Sequence, residues 1–173
     1  MDKYPSFITD LLNSFSIPSE LIEHKPAFTM DDMVDVGIKD TENVLKNLFV
    51  HDNKKQNFYL ISVRGHKRVD LKAIKDKLGC KPLTFASEER LGEVLGLSRG
   101  AVTPLGIIND TLCRVTVVFD SDIQNLDHVW VHPNVNTASL AISPAHLEKI
   151  ILSHGNKVVY VNLDSNQPAS CTV

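Results

Sequence analysis

The chain has 173 residues, 43% of them hydrophobic, which suits one domain with a buried core and excludes a small scaffold that depends on disulfides or a structural metal. Its three cysteines are odd in number and form no C-x-x-C pair, which indicates a reduced protein rather than a disulfide framework. Because there is no apolar run of 18 residues and no basic N-terminal region, we expect a cytoplasmic protein that does not contact a membrane.

The formal net charge of −3 conceals an uneven distribution of charge. Residues 46–81 contain ten Lys or Arg and three Asp, a net charge of +7, while the other residues together carry −10. A polyanion would be attracted to this basic segment and repelled by the rest, which favours an oriented encounter with nucleic acid. The alternative is that these lysines only solvate a hairpin and a helix. The candidate phosphate contacts in the segment are Arg64, Lys67 and Arg68.

The N-terminal part of the chain is predicted to form two helices and then a β-hairpin. The helices are predicted at residues 5–16 and 29–39, and the segment between them is predicted to be a loop with a short helical turn. Runs of aliphatic, β-branched and aromatic residues at 44–51 and 57–63, separated by five polar residues, predict the two strands of the hairpin.

Capping residues mark a helix directly after the hairpin. Asp70 is a favoured N-cap and Gly79 a favoured C-terminal stop, so a helix is predicted from Asp70 through Leu78. The remaining predicted elements are strands at residues 83–86, 115–119, 129–132, 139–142 and 157–161, and helices at 88–97 and 144–155.

The order of these elements predicts the fold class and the division of the chain. Helices and strands are interleaved, but the hairpin is antiparallel, so the sequence predicts an α/β fold with a mixed sheet. We expect residues 1–42 to form an N-terminal helical extension that packs on the same domain, residues 43–163 to form the main domain, and residues 164–173 to form a flexible tail.

Lys46 is a lone lysine within the apolar run of the first hairpin strand. In a strand, Lys46 and Leu48 share one face, while Asn47 and Phe49 share the other. A lysine among such neighbours can simply extend its ammonium group to solvent at the end of the sheet. The alternative is a functional role, and a role as general base would require a lowered pKa, which a sequence does not show.

A loop framed by glycine and proline, Gly-Ala-Val-Thr-Pro-Leu-Gly at residues 100–106, is a second candidate feature. Glycine allows the main chain to approach a ligand closely, and Pro104 stiffens the loop, so that N–H groups can face a carbonyl oxygen. The alternative is an ordinary turn between a helix and a strand. The pattern becomes specific only when it is extended through Ile-Ile-Asn-Asp at residues 107–110.

Two other patterns suggest chemistry but lie in the wrong structural context. Residues 96–100 match the G-x-S-x-G nucleophile elbow around Ser98, yet an elbow needs a strand before the serine and here a helix precedes it. His128 and His132 are four residues apart, which along a strand is about 13 Å, too far to bind one metal ion. We therefore predict no serine-hydrolase triad, no metal site and no cofactor.

His132 begins the turn His-Pro-Asn-Val-Asn-Thr at the end of a predicted strand, where a lone histidine is more often structural. In their order and spacing, the segments around Lys46, Gly100 and His132 together resemble the YbaK/ProX family of free-standing prolyl-tRNA editing domains, which are aminoacyl-tRNA deacylases. The resemblance extends over about residues 21–162. Residues 138–139 are Ala-Ser where the family usually has alanine and threonine, a departure that keeps the hydroxyl group.

The resemblance implies a curved, partly closed mixed sheet with flanking helices, like the insertion domain of prolyl-tRNA synthetases, with residues 43–163 as the editing domain. It implies that Lys46 is catalytic and holds the terminal phosphate and ribose of the tRNA, and that His132 is a second catalytic residue. Relatives carry a basic residue that touches the acceptor stem at the position of Arg90, although a solvated helix face explains Arg90 equally well. The implied substrate-binding residues are Asn47, Phe49, Gly100, Ala101, Thr103, Asn136 and Thr137.

The activity implied by the resemblance is hydrolysis, in trans, of an amino acid wrongly attached to tRNA, with water attack assisted by a hydroxyl of the terminal adenosine. Family members that act on Ala-tRNA(Pro) carry an N-terminal extension with an E-H-x-P-like segment, and residues 23–26, Glu-His-Lys-Pro, are similar. We therefore expect Ala-tRNA(Pro) as the substrate, the acceptor end of proline tRNA as the ligand, and prolyl-tRNA synthetase as a candidate partner. The alternatives are deacylation of Cys-tRNA or another small aminoacyl-tRNA, and a non-catalytic adapter that binds tRNA or an amino acid.

Overall fold

A computed structural model describes residues 5–27 and 29–164 of the chain. These residues form five α-helices: α1 (Ser6–Ser14), α2 (Met30–Asp35), α3 (Leu71–Leu78), α4 (Glu88–Leu95) and α5 (Pro144–His154). They form eight strands: β1 (Glu20–Glu23), β2 (Leu45–Asp52), β3 (Phe58–Arg64), β4 (Leu83–Phe85), β5 (Val115–Asp120), β6 (Val129–Val131), β7 (Ala138–Ile142) and β8 (Lys157–Val161). Short 3₁₀ helices span Thr41–Asn43, Pro104–Asn109 and Ser121–Asn125.

The strands are divided between two sheets. The larger sheet has the order β4-β2-β3-β5-β8, in which the β2–β3 and β2–β4 pairs are antiparallel and the β3–β5 and β5–β8 pairs are parallel. The smaller sheet is antiparallel, with the order β1-β7-β6, and a parallel bridge between Val44 and Trp130 connects it to the start of β2. The α/β fold with a mixed sheet and flanking helices, predicted from the sequence, is confirmed.

Both faces of the larger sheet are buried. On β5, Val117 packs into the main core with α4 and α5, while its neighbour Val118 packs on the opposite face with Ile74 of α3. The main core also contains Ile8 and Leu12 of α1. Because side chains alternate along a strand, this two-sided burial explains the nearly continuous apolar sequence of β5.

A smaller apolar cluster fixes α2 beside the start of β2. Met33 and Ile38 pack against Trp130 and Ala141 of the smaller sheet, and Val44 belongs to the same cluster. Since Val44 directly precedes β2 and bridges to Trp130, the cluster positions α2 beside the junction between the two sheets.

Capping contacts stabilise the ends of α2 and α3, and those at Asp70 and Gly79 formed as predicted. Thr29 and Asp32 form a reciprocal capping box at the start of α2. The Asp70 carboxylate accepts a hydrogen bond from the Lys72 N–H at 2.9 Å, and Gly79 ends α3 with a left-handed φ of 61°. Such contacts lie within one helical turn, which is why the sequence indicates them directly.

The structure corrects three predictions of secondary structure. The segment at residues 17–28, predicted to be a loop with a helical turn, contains strand β1, which pairs with β7. The helix predicted at 29–39 ends at Asp35, and the helix predicted to reach residue 97 ends at Leu95, because Gly96 adopts a φ of 62°. The predicted tail, residues 164–173, lies outside the described residues apart from Asp164.

In the described part of the chain, no helix combines the length and the apolar character that a membrane span requires.

Candidate active site

A cavity of about 310 Å³ opens where the start of β2 meets α2 and the loop that follows α4. It contains four residues that the sequence singled out, from three separate segments: Lys46, Asn47, Gly100 and His132. Its other lining residues are Ala27, Thr29, Met33, Val44, Leu45, Gly65 and Val102. The wall is therefore mostly small or apolar, with a few polar groups that converge on one space, as is typical of ligand sites.

The Lys46 side chain is held by the main chain of a neighbouring turn. Its Nζ donates a hydrogen bond to the carbonyl oxygen of Lys67. Partial burial lowers the pKa of Lys46 below its ordinary value. A single ammonium group among apolar neighbours is a strong attractor for a phosphate or carboxylate oxygen, because little water competes for it.

His132 lies in the same cavity with a defined tautomer. Its Nδ1 donates to the carbonyl oxygen of Ala138 at 2.9 Å, so in the neutral ring Nε2 is the hydrogen-bond acceptor. Burial lowers the pKa of His132 below 6.5, and the nearby His24 ring, 6.3 Å away between ring centroids, acts in the same direction. The His24 Nε2 in turn hydrogen-bonds the Ser139 hydroxyl at 2.9 Å.

Asn47 fastens the glycine-rich loop to the sheet. Its side-chain Nδ2 donates to the carbonyl oxygen of Val102 at 3.0 Å, and its Oδ1 accepts from the Ser62 hydroxyl at 2.7 Å. The amide thereby spans from β3 to the loop. In the structure, Asn47 therefore sets the distance between the loop and Lys46. This distance determines the width of the cavity.

The loop itself depends on glycine and on a capping threonine. Gly100 has a φ of 88°, a left-handed conformation that other residues rarely adopt. Ala101 is buried and its N–H donates to the Ser98 carbonyl oxygen at 3.1 Å. Thr103 is fully buried, and its hydroxyl accepts a hydrogen bond from the Leu105 N–H at the start of the 3₁₀ helix.

Five of the seven residues predicted to bind substrate lie outside the lining of this cavity: Ala101 and Thr103 of the loop, and also Phe49, Asn136 and Thr137. Phe49 is 6% exposed and stacks on Phe58 within the main core. The carbonyl oxygens of Asn136 and Thr137 accept hydrogen bonds from the main chain of Ala27 and His24. These bonds join the His132 turn to the segment that leads into α2. The two residues therefore hold together two segments of the cavity wall without lining the cavity themselves.

The basic residues predicted to contact tRNA differ in how available their charges are. The Lys67 ammonium forms ion pairs with Asp120, Asp122 and Asp164. The Arg64 Nε donates to the carbonyl oxygen of Glu42 at 2.9 Å.

Two more arginines were predicted to contact tRNA. Arg90 pairs with Glu93 at 2.6 Å on the exposed face of α4, which matches the alternative reading of this residue as part of a solvated face. Arg68 is exposed beside Lys67.

The patterns set aside in the sequence are also separate in space. After Ser98, the residues in the right chain order for a hydrolase triad are Asp110 or Asp120 and then His132. The carboxyl group of Asp110 accepts from the Val115 N–H and that of Asp120 pairs with Lys67, so neither is bonded to His132. The Nε2 of His128 is bonded to Asp40 instead of facing His132. Within the described residues there is no group of three or more His, Cys, Asp or Glu side chains that could hold a metal ion.

The sequence of this chain is similar to those of known editing proteins. Residues 24–150 match the aminoacyl-tRNA editing domain. This chain belongs to that family. The prolyl-tRNA editing protein ProX of Acetoanaerobium sticklandii is 40% identical over 152 residues, which cover 88% of this chain and 93% of that protein. Prolyl-tRNA synthetase associated domain-containing protein 1 of Danio rerio is 31% identical over 159 residues, covering 91% and 86%.

Solved structures share the fold of this editing domain. A candidate trans-editing enzyme for prolyl tRNA synthetase superposes with a TM-score of 0.68 at 21% sequence identity, over 88% of this chain and 92% of that one. At this identity the likeness shows a shared fold.

Sequence reasoning missed part of the cavity wall of the editing domain. Ala27, Thr29 and Met33 come from the segment that enters α2, and Gly65 comes from the turn after β3. The capping signal at Thr29 places a helix there, but its contact with β2 depends on packing between distant segments. Val102 lies inside the glycine-rich motif and could have been selected with its neighbours.

Proposed function

We propose that this protein is a trans-editing hydrolase that deacylates mischarged tRNA, with Ala-tRNA(Pro) as its substrate. The observation that carries the proposal is the convergence of Lys46, His132 and the Gly100 main chain on one cavity of about 310 Å³ in a chain of the aminoacyl-tRNA editing family. The names of its relatives, which refer to prolyl-tRNA editing and to prolyl-tRNA synthetase, support proline tRNA as the carrier and the synthetase as a partner.

In this proposal, Lys46 binds the 3′ end of the tRNA and fixes the ester. Its Nζ is the cationic group on the cavity wall, and it meets the terminal phosphate and ribose. Gly100 lets the main chain approach the ester carbonyl, where a close dipole stabilises charge that develops on the oxygen. An aminoacyl ester is intrinsically labile, so positioning and charge stabilisation can provide the rate without a protein nucleophile.

His132 is proposed to act through its Nε2. With Nδ1–H committed to the Ala138 carbonyl, the neutral ring presents Nε2 as an acceptor for the attacking water. Burial keeps this ring neutral at physiological pH, because it lowers the pKa of His132 below 6.5. The hydroxyl of the terminal adenosine is placed to assist the same water, in keeping with the mechanism that the family resemblance implies.

The size and polarity of the cavity favour a small amino acid. Its volume is at the low end of the range for ligand sites, about 300–1,000 Å³. The wall residues Ala27, Met33 and Val102 suit an aliphatic group. One methyl group is worth only about 1–3 kcal/mol of discrimination, so cysteine is the closest competitor for this space.

A panel of aminoacylated tRNAs tests the proposed function directly. Ala-tRNA(Pro), Cys-tRNA(Pro), Ser-tRNA(Pro) and Pro-tRNA(Pro) would be incubated with the protein, and the remaining ester measured against a buffer blank. We expect the fastest hydrolysis for Ala-tRNA(Pro) and little for Pro-tRNA(Pro). Faster hydrolysis of the cysteine ester would assign the rival substrate, and no hydrolysis of any ester above the blank would leave the adapter function.

The pH dependence of hydrolysis is expected to follow the ionisation of His132. After correction for spontaneous hydrolysis, kcat/KM should fall towards acid pH with an inflection below 6.5, because burial lowers the pKa of this ring. The same shift means that the unfolded chain takes up this proton first, so the folded state loses stability as the pH falls below 6.5. His132→Asn should lower kcat/KM and remove the acidic inflection, and an unchanged inflection in that variant would exclude the assignment.

Binding of tRNA is expected to depend on Arg68 in the basic segment. Arg68→Glu should weaken tRNA affinity several-fold and reduce the slope of log K against log salt by about one, since a phosphate contact releases counterions. Lys157→Glu makes the same change of charge at an exposed position on β8, outside the segment, and serves as the control. The ratio of alanine to cysteine deacylation should stay constant, because phosphate contacts do not read the acyl group. Equal affinities for both variants would place tRNA on another face.

A further inference from the structure

Lys67 is partly buried and lies among three carboxylates beside the cavity. Its Nζ lies 2.6 Å from Asp120, 2.9 Å from Asp122 and 2.8 Å from Asp164. The Lys67 side chain is only 14% exposed and that of Asp120 1% exposed. An ammonium group has three N–H donors, and three carboxylates are in place to accept all of them. The charge predicted from the sequence to meet a tRNA phosphate is therefore already paired with carboxylates of the protein.

The main chain of Lys67 has a separate contact that leads into the cavity. Its carbonyl oxygen accepts the hydrogen bond from the Lys46 Nζ. Its N–H donates to the Arg64 carbonyl oxygen at 2.9 Å, which closes the turn after β3. Gly65 in the same turn donates to the Val44 carbonyl oxygen at 2.8 Å and lines the cavity. The turn thus presents one oxygen atom to the lysine proposed to bind the tRNA end.

The three carboxylates form the anchor of the Lys67 side chain, and Asp120 is the most buried of them. Asp120 is the last residue of β5, which runs parallel to β3, and its second carboxylate oxygen accepts from the Leu163 N–H at 3.1 Å. Asp122 is in the following 3₁₀ helix. Through Asp120 the anchor is therefore attached to a central strand of the larger sheet, while the turn that contains Lys67 is neither helix nor strand.

We propose that Lys67 is a positioning residue for the deacylation reaction: its side chain, held by the three carboxylates, fixes the carbonyl oxygen that orients the Lys46 ammonium in the cavity. This role rests on the proposed function, because orientation of Lys46 matters only if the cavity binds the end of a tRNA. A lysine side chain has four rotatable bonds, so without a fixed acceptor the ammonium group would occupy several positions. A displacement of about 1 Å at a reacting centre can reduce the rate about 100-fold.

The test uses the full chain with two variants that remove the Lys67 ammonium group and one variant that replaces it with a guanidinium group. Lys67→Met removes the ammonium group but leaves Asp120 buried without its partner, so the double variant Lys67→Met with Asp120→Asn removes both charges and preserves folding better. Lys67→Arg keeps a cation that can bind the carboxylates. Lys157→Met removes an exposed lysine from β8 and is the matched control. Circular dichroism confirms that each variant is folded before any comparison.

Two measurements distinguish positioning from phosphate binding. The first is competitive acetylation of Lys46 by acetic anhydride, read by mass spectrometry, which needs no tRNA and no activity. The second is the single-turnover rate and the tRNA affinity with Ala-tRNA(Pro). We expect the anchor variants to acetylate Lys46 several-fold faster and to lose about ten- to a hundredfold in rate at unchanged tRNA affinity, with Lys67→Arg restoring both values.

The opposite pattern would overturn the inference. If Lys67 binds phosphate, its removal should weaken tRNA affinity and reduce the salt slope by about one, while the acetylation of Lys46 and the single-turnover rate stay as in the wild type. A folded double variant with normal acetylation and a normal rate would also overturn it. If the wild type hydrolyses none of the esters, the proposed function fails, and the acetylation experiment still decides whether Lys67 positions Lys46.

Discussion

Lys46→Ala is expected to reduce the rate of deacylation by about 100-fold or more, because the ester is no longer held in position and a displacement of about 1 Å at a reacting centre can cost about 100-fold. The variant loses the cationic group of the cavity wall, and the main chain at Gly100 cannot replace it, because a peptide dipole carries no net charge. The rate would be measured under single-turnover conditions with Ala-tRNA(Pro). Lys157→Ala, an equivalent truncation at an exposed position, should keep the wild-type rate.

The same variant should remain folded. Lys46 is only partly buried, and its one described hydrogen bond is to a main-chain carbonyl of a turn that other contacts also hold. We therefore expect the free energy of unfolding in urea to change by less than about 1 kcal/mol, as for most substitutions away from the core. A variant that is unfolded, or one that is folded and deacylates at nearly the wild-type rate, would contradict the assignment of Lys46.

The parts of the fold that could be predicted are those whose causes are local. The helix α3 (Leu71–Leu78) lies between Asp70 and Gly79, the caps that the sequence indicates, and β8 has the predicted bounds. Strand β1 was missed for the opposite reason. It has only four residues, with glutamates at both ends, and it forms because β7, more than a hundred residues later, offers an edge for pairing. A local sequence pattern does not show that such a distant strand is available for pairing.

The same distinction between local and distant causes applies to the residues of the candidate site. Lys46, Gly100 and His132 lie in short distinctive segments, and the structure brings all three to one cavity. The carboxylates around Lys67 could not be foreseen, because Asp120 and Asp164 lie about 50 and 100 residues away in sequence and meet it only through strand pairing. A count of charges along the segment therefore overstated how many cations face solvent.

Asp110→Ala is expected to lower the free energy of unfolding by about 3–5 kcal/mol, a larger loss than is expected for the other substitutions. Asp110 is completely buried at the end of the glycine-rich motif. Its carboxyl group accepts hydrogen bonds from the Val115 N–H at 2.8 Å and from the Asn156 amide at 2.9 Å. Removing the acceptor leaves two buried donors unsatisfied, each at a cost of about 1–3 kcal/mol.

These contacts explain why the loss should appear in stability and not in chemistry. Val115 begins β5, and Asn156 directly precedes β8, so Asp110 joins the loop to two neighbouring strands of the larger sheet. Its side chain is not part of the cavity lining, which the loop reaches through Gly100 and Val102. At temperatures where the variant is folded, its single-turnover rate should therefore stay close to that of the wild type.

Urea unfolding of Asp110→Ala, Asn156→Ala and the double variant measures the coupling between the two side chains. Because they share a hydrogen bond, the double variant should lose less stability than the two single variants together. Asp127→Ala removes an exposed carboxylate and should change the free energy of unfolding by less than about 0.5 kcal/mol. If Asp110→Ala instead kept its stability and lost its deacylation rate, Asp110 would belong to the reaction, and the hydrolase triad with His132 would have to be reconsidered.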